Sequence, residues 1–97
     1  MSYRLAPEAQ ADIEAIANYI GELNPQAAVK LLRRFVDQWE LLATQPYSGA
    51  GREDVLPGIR HLVMGTYIAF YRVDDGHVLI LRILHGKRDI TADDLEA

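Results

Sequence analysis

Apolar residues recur with helical period in the first half of the chain and gather into short strand-type runs in the second. From Glu8 onward, Ala9, Ile13, Ile16, Ala17 and Ile20 fall at the spacing of one buried helical face. Pro7 suits the first turn, where a missing N–H costs no hydrogen bond. Glu8, Asp12 and Glu14 follow in the early turns, where the helix dipole favours negative charge. Gly21 is the expected stop. Asn24-Pro25 then opens a second helix, with Asn as N-cap and Pro at the first helical position. Its stripe is Ala28, Leu32, Phe35, Val36, Trp39, Leu42 and Ala43, and it ends at Gln45-Pro46. A connection of about three residues predicts an antiparallel helical hairpin. Phe35 and Trp39 read as core, whereas Leu31 and Leu41 fall off the stripe and, if exposed, would mark a partner groove.

Before the hairpin, Tyr3-Arg4-Leu5 is a short extended start whose place in a sheet periodicity does not fix. After it, residues 47–58 carry Gly49, Gly51, Pro57 and Gly58 and read as loop. Three strand segments follow, Ile59–Val63, Tyr67–Val73 and His77–His85, joined by Met64-Gly65-Thr66 and by Asp75-Gly76. Asp-Gly between β-rich runs is a strong hairpin signal. Depending on register, the face under the helices holds Ile68 and Phe70, or Leu79, Leu81 and Ile83. Tyr67 and Tyr71 share a face, and Thr91 caps a last helical turn in the exit segment. The expected architecture is α+β, a β-α-α-β-β-β two-layer sandwich of a helical hairpin on a mainly antiparallel sheet, with residues 1–97 as one domain.

Charge sharpens this picture. Residues 51–88 carry six bases against four acids, and residues 89–97 carry Asp89, Asp93, Asp94 and Glu96 with no base. Residues 1–50 carry four bases against six acids, so residues 1–88 sum to zero. The formal net charge of −4 therefore resides in the C-terminal tail, which pairs with Arg82, Lys87 or Arg88 or is simply solvated. No cysteine is present, which removes disulfides, thiolate catalysis and thiolate metal sites together and fits a reducing compartment. The apolar runs are far shorter than the roughly 20 residues needed to span a bilayer, and the N-terminus has no signal-type apolar region.

Candidate chemistry is sparse. His61, His77 and His85 lie on or beside strands without metal-ligand spacing, so no metal and no cofactor are expected. His85 stands out, because beside Lys87, Arg88 and Asp89 it could serve as a general acid or base. Neither serine lies in a nucleophile motif, and no glycine-rich turn leads into a phosphate-binding helix. Arg60, Arg72 and Arg82 occur once on each strand, amid apolar neighbours. They read either as cross-strand ion pairs with Glu53, Asp54, Asp74 or Asp89, or as a row of guanidiniums recognising carboxylates or other anions on one open face.

In order and spacing the chain resembles the ParE branch of the ParE/RelE toxin–antitoxin superfamily. The matching stretches are Leu5-Ala6-Pro7-Glu8-Ala9 with Asp12-Ile13, Asn24-Pro25, Leu56-Pro57-Gly58-Ile59-Arg60, Gly65-Thr66-Tyr67, Phe70-Tyr71-Arg72-Val73 and the run from Ile80 through Leu84-His85-Gly86-Lys87-Arg88-Asp89. The resemblance implies a cytoplasmic toxin of a plasmid-stabilization type, which inhibits DNA gyrase and acts as an inhibitor rather than a catalyst. It also implies neutralisation by a ParD-like ribbon-helix-helix antitoxin, through which alone it meets DNA. Partner contacts are then expected at Arg60, Arg72, Arg82, His85, Lys87 and Arg88. The RelE branch implies instead a ribosome-dependent messenger endoribonuclease, with Arg60, Arg82 and His85 as its catalytic set. Against that branch, Lys30 and Lys87 are the only lysines and the tail holds neither Tyr nor His. A third reading is a non-toxic member that only binds its antitoxin.

Overall fold

The computed structural model describes residues 1–86 and 89–95. The chain runs β1 (Ser2–Leu5), α1 (Pro7–Leu23), α2 (Pro25–Thr44), β2 (Ala50–Gly51), β3 (Arg60–Met64), β4 (Tyr67–Asp74), β5 (His77–His85) and α3 (Ala92–Leu95). The sheet order is β1-β5-β4-β3-β2. β1 pairs in parallel with β5, and every other pairing is antiparallel. The α+β sandwich read from the pattern is therefore the fold, with a two-residue edge strand, β2, added inside the loop segment. Among the described residues no helix is long and apolar enough to cross a membrane.

The hairpin is tighter than its sequence suggests. α1 runs through Gly21 to Leu23, and a single residue, Asn24, joins the helices. Its backbone N–H closes α1 on the carbonyl of Ile20 at 2.7 Å. Its side chain caps α2 by accepting from the N–H groups of Gln26 and Ala27, at 3.1 and 3.2 Å. Gly21 is thus not a stop; it lies within α1 and faces Ala28 across the hairpin.

The α2 stripe also shifts. Ala28, Phe35, Trp39 and Leu42 are buried, as read from spacing, but Val36 is exposed and Leu31 packs on the core. Of the two off-stripe leucines only Leu41 is exposed.

Against the helices the sheet presents Ala69, Tyr71, Val78, Ile80 and Ile83, with Tyr3, Leu5, Leu62 and Tyr67 at the margin. This matches neither register anticipated. Ile68 and Phe70 point away from the helices and join Ile59, Leu84 and Leu95 in a second apolar cluster, with Leu81 packed against it. The cause is a register break: Phe70 pairs with Arg82 but Tyr71 pairs with Ile80, so Leu81 is an extra residue in β5. Such a bulge reverses the alternation. It lets Val78, Ile80 and Ile83 share the helix face while Arg82 and Leu84 take the other.

Candidate functional site

The sheet face opposite the helices carries an open groove of about 860 Å³. Leu79 and Leu81 of β5 form part of its lining, together with Leu56 and Ile59 of the preceding loop. Strand pairing sets two cations around this apolar lining, since Leu79 lies opposite Arg4 on β1 and opposite Arg72 on β4. Both arginines are exposed. Among the described residues Arg72 makes only a long ion pair with Asp74, at 3.4 Å, in which both side chains are about half exposed, at 49% and 55%. A contact of that kind contributes little. Glu8 and Asp94 are the acids in the groove's lining.

Arg82 borders the same groove but is committed elsewhere. Its Nε and Nη2 donate to the two carboxylate oxygens of Asp12 on α1, at 2.7 and 3.0 Å. Its Nη1 donates to the backbone carbonyl of Asp94 at 2.9 Å. Asp12 also accepts from the backbone N–H of Ile83 at 2.9 Å. β1 pairs with β5 only as far as Ile80, after which Ala6 N–H takes the Ile80 carbonyl. Asp12 thus serves the strand beyond the point where its neighbour ends. Hydrogen bonding to Asp12 holds the Arg82 guanidinium more firmly charged, against the opposing effect of burial.

Arg60 lies on the other side of the sheet, because it pairs with the helix-facing Tyr71. Its Nη1 donates to the carbonyls of Gly49 and Tyr47, at 2.7 and 3.3 Å, and its guanidinium lies 5.0 Å from the centre of the Tyr47 ring. The row of three strand arginines on one face is therefore not formed. Arg60 braces the loop, Arg82 ties helix to sheet, and Arg72 stands on the open face with Arg4 for company. Of the four acids considered as cross-strand partners, Asp74 reaches Arg72, whereas Arg82 takes the unforeseen Asp12.

The histidines are dispersed. His85 ends β5 opposite Tyr67 and meets its ring edge-on at 5.9 Å. His77, at the other end of β5, bonds the Ser2 hydroxyl. His61 belongs to a cluster that sequence reasoning missed. Arg52 donates from Nη1 to His61 Nδ1 at 3.0 Å, grips Asp54 through Nε and Nη2, both at 3.0 Å, and lies 5.6 Å from the centre of the Phe70 ring. Burial, then the Arg52 charge, pulls the His61 pKa below its ordinary value. Hydrogen bonding to Arg52 likewise lowers the Asp54 carboxyl. Lys87 and Arg88 lie outside the described residues. Among those described, no three His, Asp or Glu side chains converge as a metal site.

Arg4 was legible in principle, as the polar position in an alternating Tyr3-Arg4-Leu5 strand, but only pairing with β5 brings it beside Arg72. Arg52 sits in a loop without periodicity, so no sequence signal singles it out.

A family model described as the ParE toxin of the type II toxin–antitoxin system ParDE matches residues 3–90. A Mycobacterium tuberculosis protein named Toxin ParE1 is 31% identical over 90 residues, 91% of this chain and 92% of the relative. Toxin RelE2 of Caulobacter vibrioides is 36% identical over 80 residues, 82% of this chain and 89% of the relative. Among solved structures, the chromosomal ParDE toxin–antitoxin system from P. aeruginosa contains a chain with a TM-score of 0.76 and 33% identity, covering 88% of this chain and 95% of that one. The RelBE2 toxin–antitoxin complex from Mycobacterium tuberculosis gives 0.57 and 27%, covering 87% and 95%.

Proposed function

The chain belongs to the ParE toxin family of type II toxin–antitoxin systems, and from that premise we propose that it inhibits DNA gyrase and is neutralised by a ParD-like antitoxin. The observation that carries this reading is the failure of Arg60, Arg82 and His85 to converge. Cleaving a messenger phosphodiester needs a base, an acid and a cation around one phosphate. Here Arg60 and His85 pair with the helix-facing Tyr71 and Tyr67, whereas Arg82 pairs with Phe70, on the other side. Two of the three guanidinium and imidazole groups are also spent on internal partners, Arg60 on carbonyls and Arg82 on Asp12. A surface built this way supports binding and blocking rather than bond cleavage.

Partner contact is assigned to the open face at Arg72 and to His85 at the end of β5, with Lys87 and Arg88, outside the described residues, kept as sequence-based candidates. Arg60 and Arg82 act as positioning residues that hold the frame. The alternative, an endoribonuclease acting on ribosome-bound message, draws on the relatives named RelE2 and RelBE2.

Induced expression in bacterial cells, with and without the product of the adjacent reading frame, tests the proposal. Growth arrest with altered plasmid topology and intact message, relieved by co-expression, is the expected result. Arrest with message cut inside the reading frame supports the nuclease instead, and harmless expression supports the member that only binds its antitoxin.

A further inference from the structure

We propose that the outer face of α2 pairs with the same face of a second copy of the chain, as two antiparallel helices about a two-fold axis. The contact belongs to the helical layer and shares no residue with the groove on the sheet, so it leaves that face free in both copies. It depends neither on gyrase nor on an antitoxin.

α2 carries two apolar stripes. One, made of Ala28, Phe35, Trp39 and Leu42, is buried in the core. The other, Val29, Leu32 and Val36, follows the i, i+3, i+7 spacing of a second helical face. Val29 is 51% and Val36 43% exposed, with Leu32 half-buried between them. These three residues line a shallow hollow of about 360 Å³, rimmed by Arg33 and Asp37. A surface helix needs only one apolar face for its own core. The second is surplus to the fold.

Charge decides what covers it. The bases of α2, Lys30, Arg33 and Arg34, all precede its acids, Asp37 and Glu40, and all five are exposed. Arg33 and Asp37 stand one turn apart, yet among the described residues neither forms an ion pair. Base before acid is also the weaker order for such a pair within one helix. Turned end for end, the same segment is its own complement, because the basic half of one copy meets the acidic half of the other. With the axis crossing between Arg33 and Val36, Arg33 of each copy comes beside Asp37 of the other, and Leu32 and Val36 of both copies fill the seam. This reciprocity defines an isologous contact, and antiparallel alignment sets the two helix dipoles favourably. A parallel pair would put base against base and acid against acid. One helix–helix contact is small beside the roughly 1,000 Å² of a stable interface, so the dimer forms reversibly and at high protein concentration.

Sedimentation velocity of the full chain, from low micromolar to about 1 mM, tests the pairing. The wild type is expected to pass from monomer to dimer across this range. Arg33→Asp sets acid against acid at both crossings and Asp37→Arg sets base against base, so each variant alone should associate about tenfold more weakly. Mixed in equal amounts, the two variants should dimerise again, since both crossings are restored with the signs exchanged. Val36→Glu, in the seam, should stay monomeric. All three positions are exposed, and circular dichroism confirms that each variant is folded. A wild type that is monomeric throughout overturns the proposal, as does a dimer indifferent to both reversals or a mixture no more associated than its components. A monomer whose binding to the product of the adjacent reading frame is lost in Val36→Glu overturns it too, and gives the patch to that partner.

Discussion

Asp12 and Arg82 lie 70 positions apart in sequence, yet form a two-pronged ion pair at 2.7 and 3.0 Å. The same carboxylate takes the N–H of Ile83. One side chain on the first helix thereby ends the sheet pairing that β1 leaves unfinished, fixes the bulged part of β5 and holds the arginine that clasps the C-terminal segment.

Removing Asp12 strands a guanidinium and a backbone donor that are both largely shielded from water. Asp12→Ala is expected to lower stability by about 2–3 kcal/mol. Asp12→Asn keeps an acceptor for Ile83 while losing the charge, and should cost about 1 kcal/mol. Urea unfolding at neutral pH measures both, and equal stability of all three proteins would show that the pair contributes nothing net.

Tyr71 and Gly49 anchor the loop before β3. The buried Tyr71 hydroxyl accepts from the Gly49 N–H at 2.9 Å and donates to the Pro46 carbonyl at 2.8 Å. Tyr71→Phe leaves both groups without that partner and should destabilise by about 1–3 kcal/mol. At Gly49 a Cβ would lie 2.5 Å from the His61 carbonyl oxygen and 2.6 Å from the Tyr71 hydroxyl. Gly49→Ala is therefore expected to lose about 3 kcal/mol by overpacking. A thermal melt of each variant checks the order.

His61 links stability to pH. Its folded pKa is depressed by burial and by Arg52, so the unfolded chain binds the proton more readily. Stability is highest above the unfolded value of about 6.5 and falls as pH drops from there through the lowered folded value. Asp54, also depressed, adds its own loss only at lower pH, below the ordinary carboxylate range. Melting temperature should decline between pH 7 and 5 in the wild type, and less so in His61→Gln. Equal slopes would remove His61 from the account.

The separation of Arg60 and His85 from Arg82 makes a prediction for the ribosome. Saturating protein should leave ribosome-bound message uncut, as read by primer extension. Codon-dependent cuts abolished by Arg82→Ala would move the function to the nuclease branch.

What the sequence discloses is local. The limits of β5, the Asn24-Pro25 cap and the core roles of Phe35 and Trp39 follow from spacing and turn chemistry acting over a few residues. Gly21 misled because one glycine costs a helix interior only about 1 kcal/mol, too little to end α1 before Leu23. The parallel pairing of β1 with β5, the extra residue at Leu81 and the Asp12–Arg82 pair join distant segments, so periodicity carries no trace of them. That is also why the arginine row looked continuous. A single bulge and one helix-borne carboxylate decide where Arg82 points, and neither is visible in the alternation of a strand.

Inhibition of gyrase is the proposed action of this protein. Purified gyrase, relaxed plasmid and ATP, titrated with the protein, test it most directly. Dose-dependent loss of supercoiling or accumulation of cleaved plasmid, reversed by a ParD-like antitoxin, is the predicted result. Full supercoiling at saturating folded protein would contradict it.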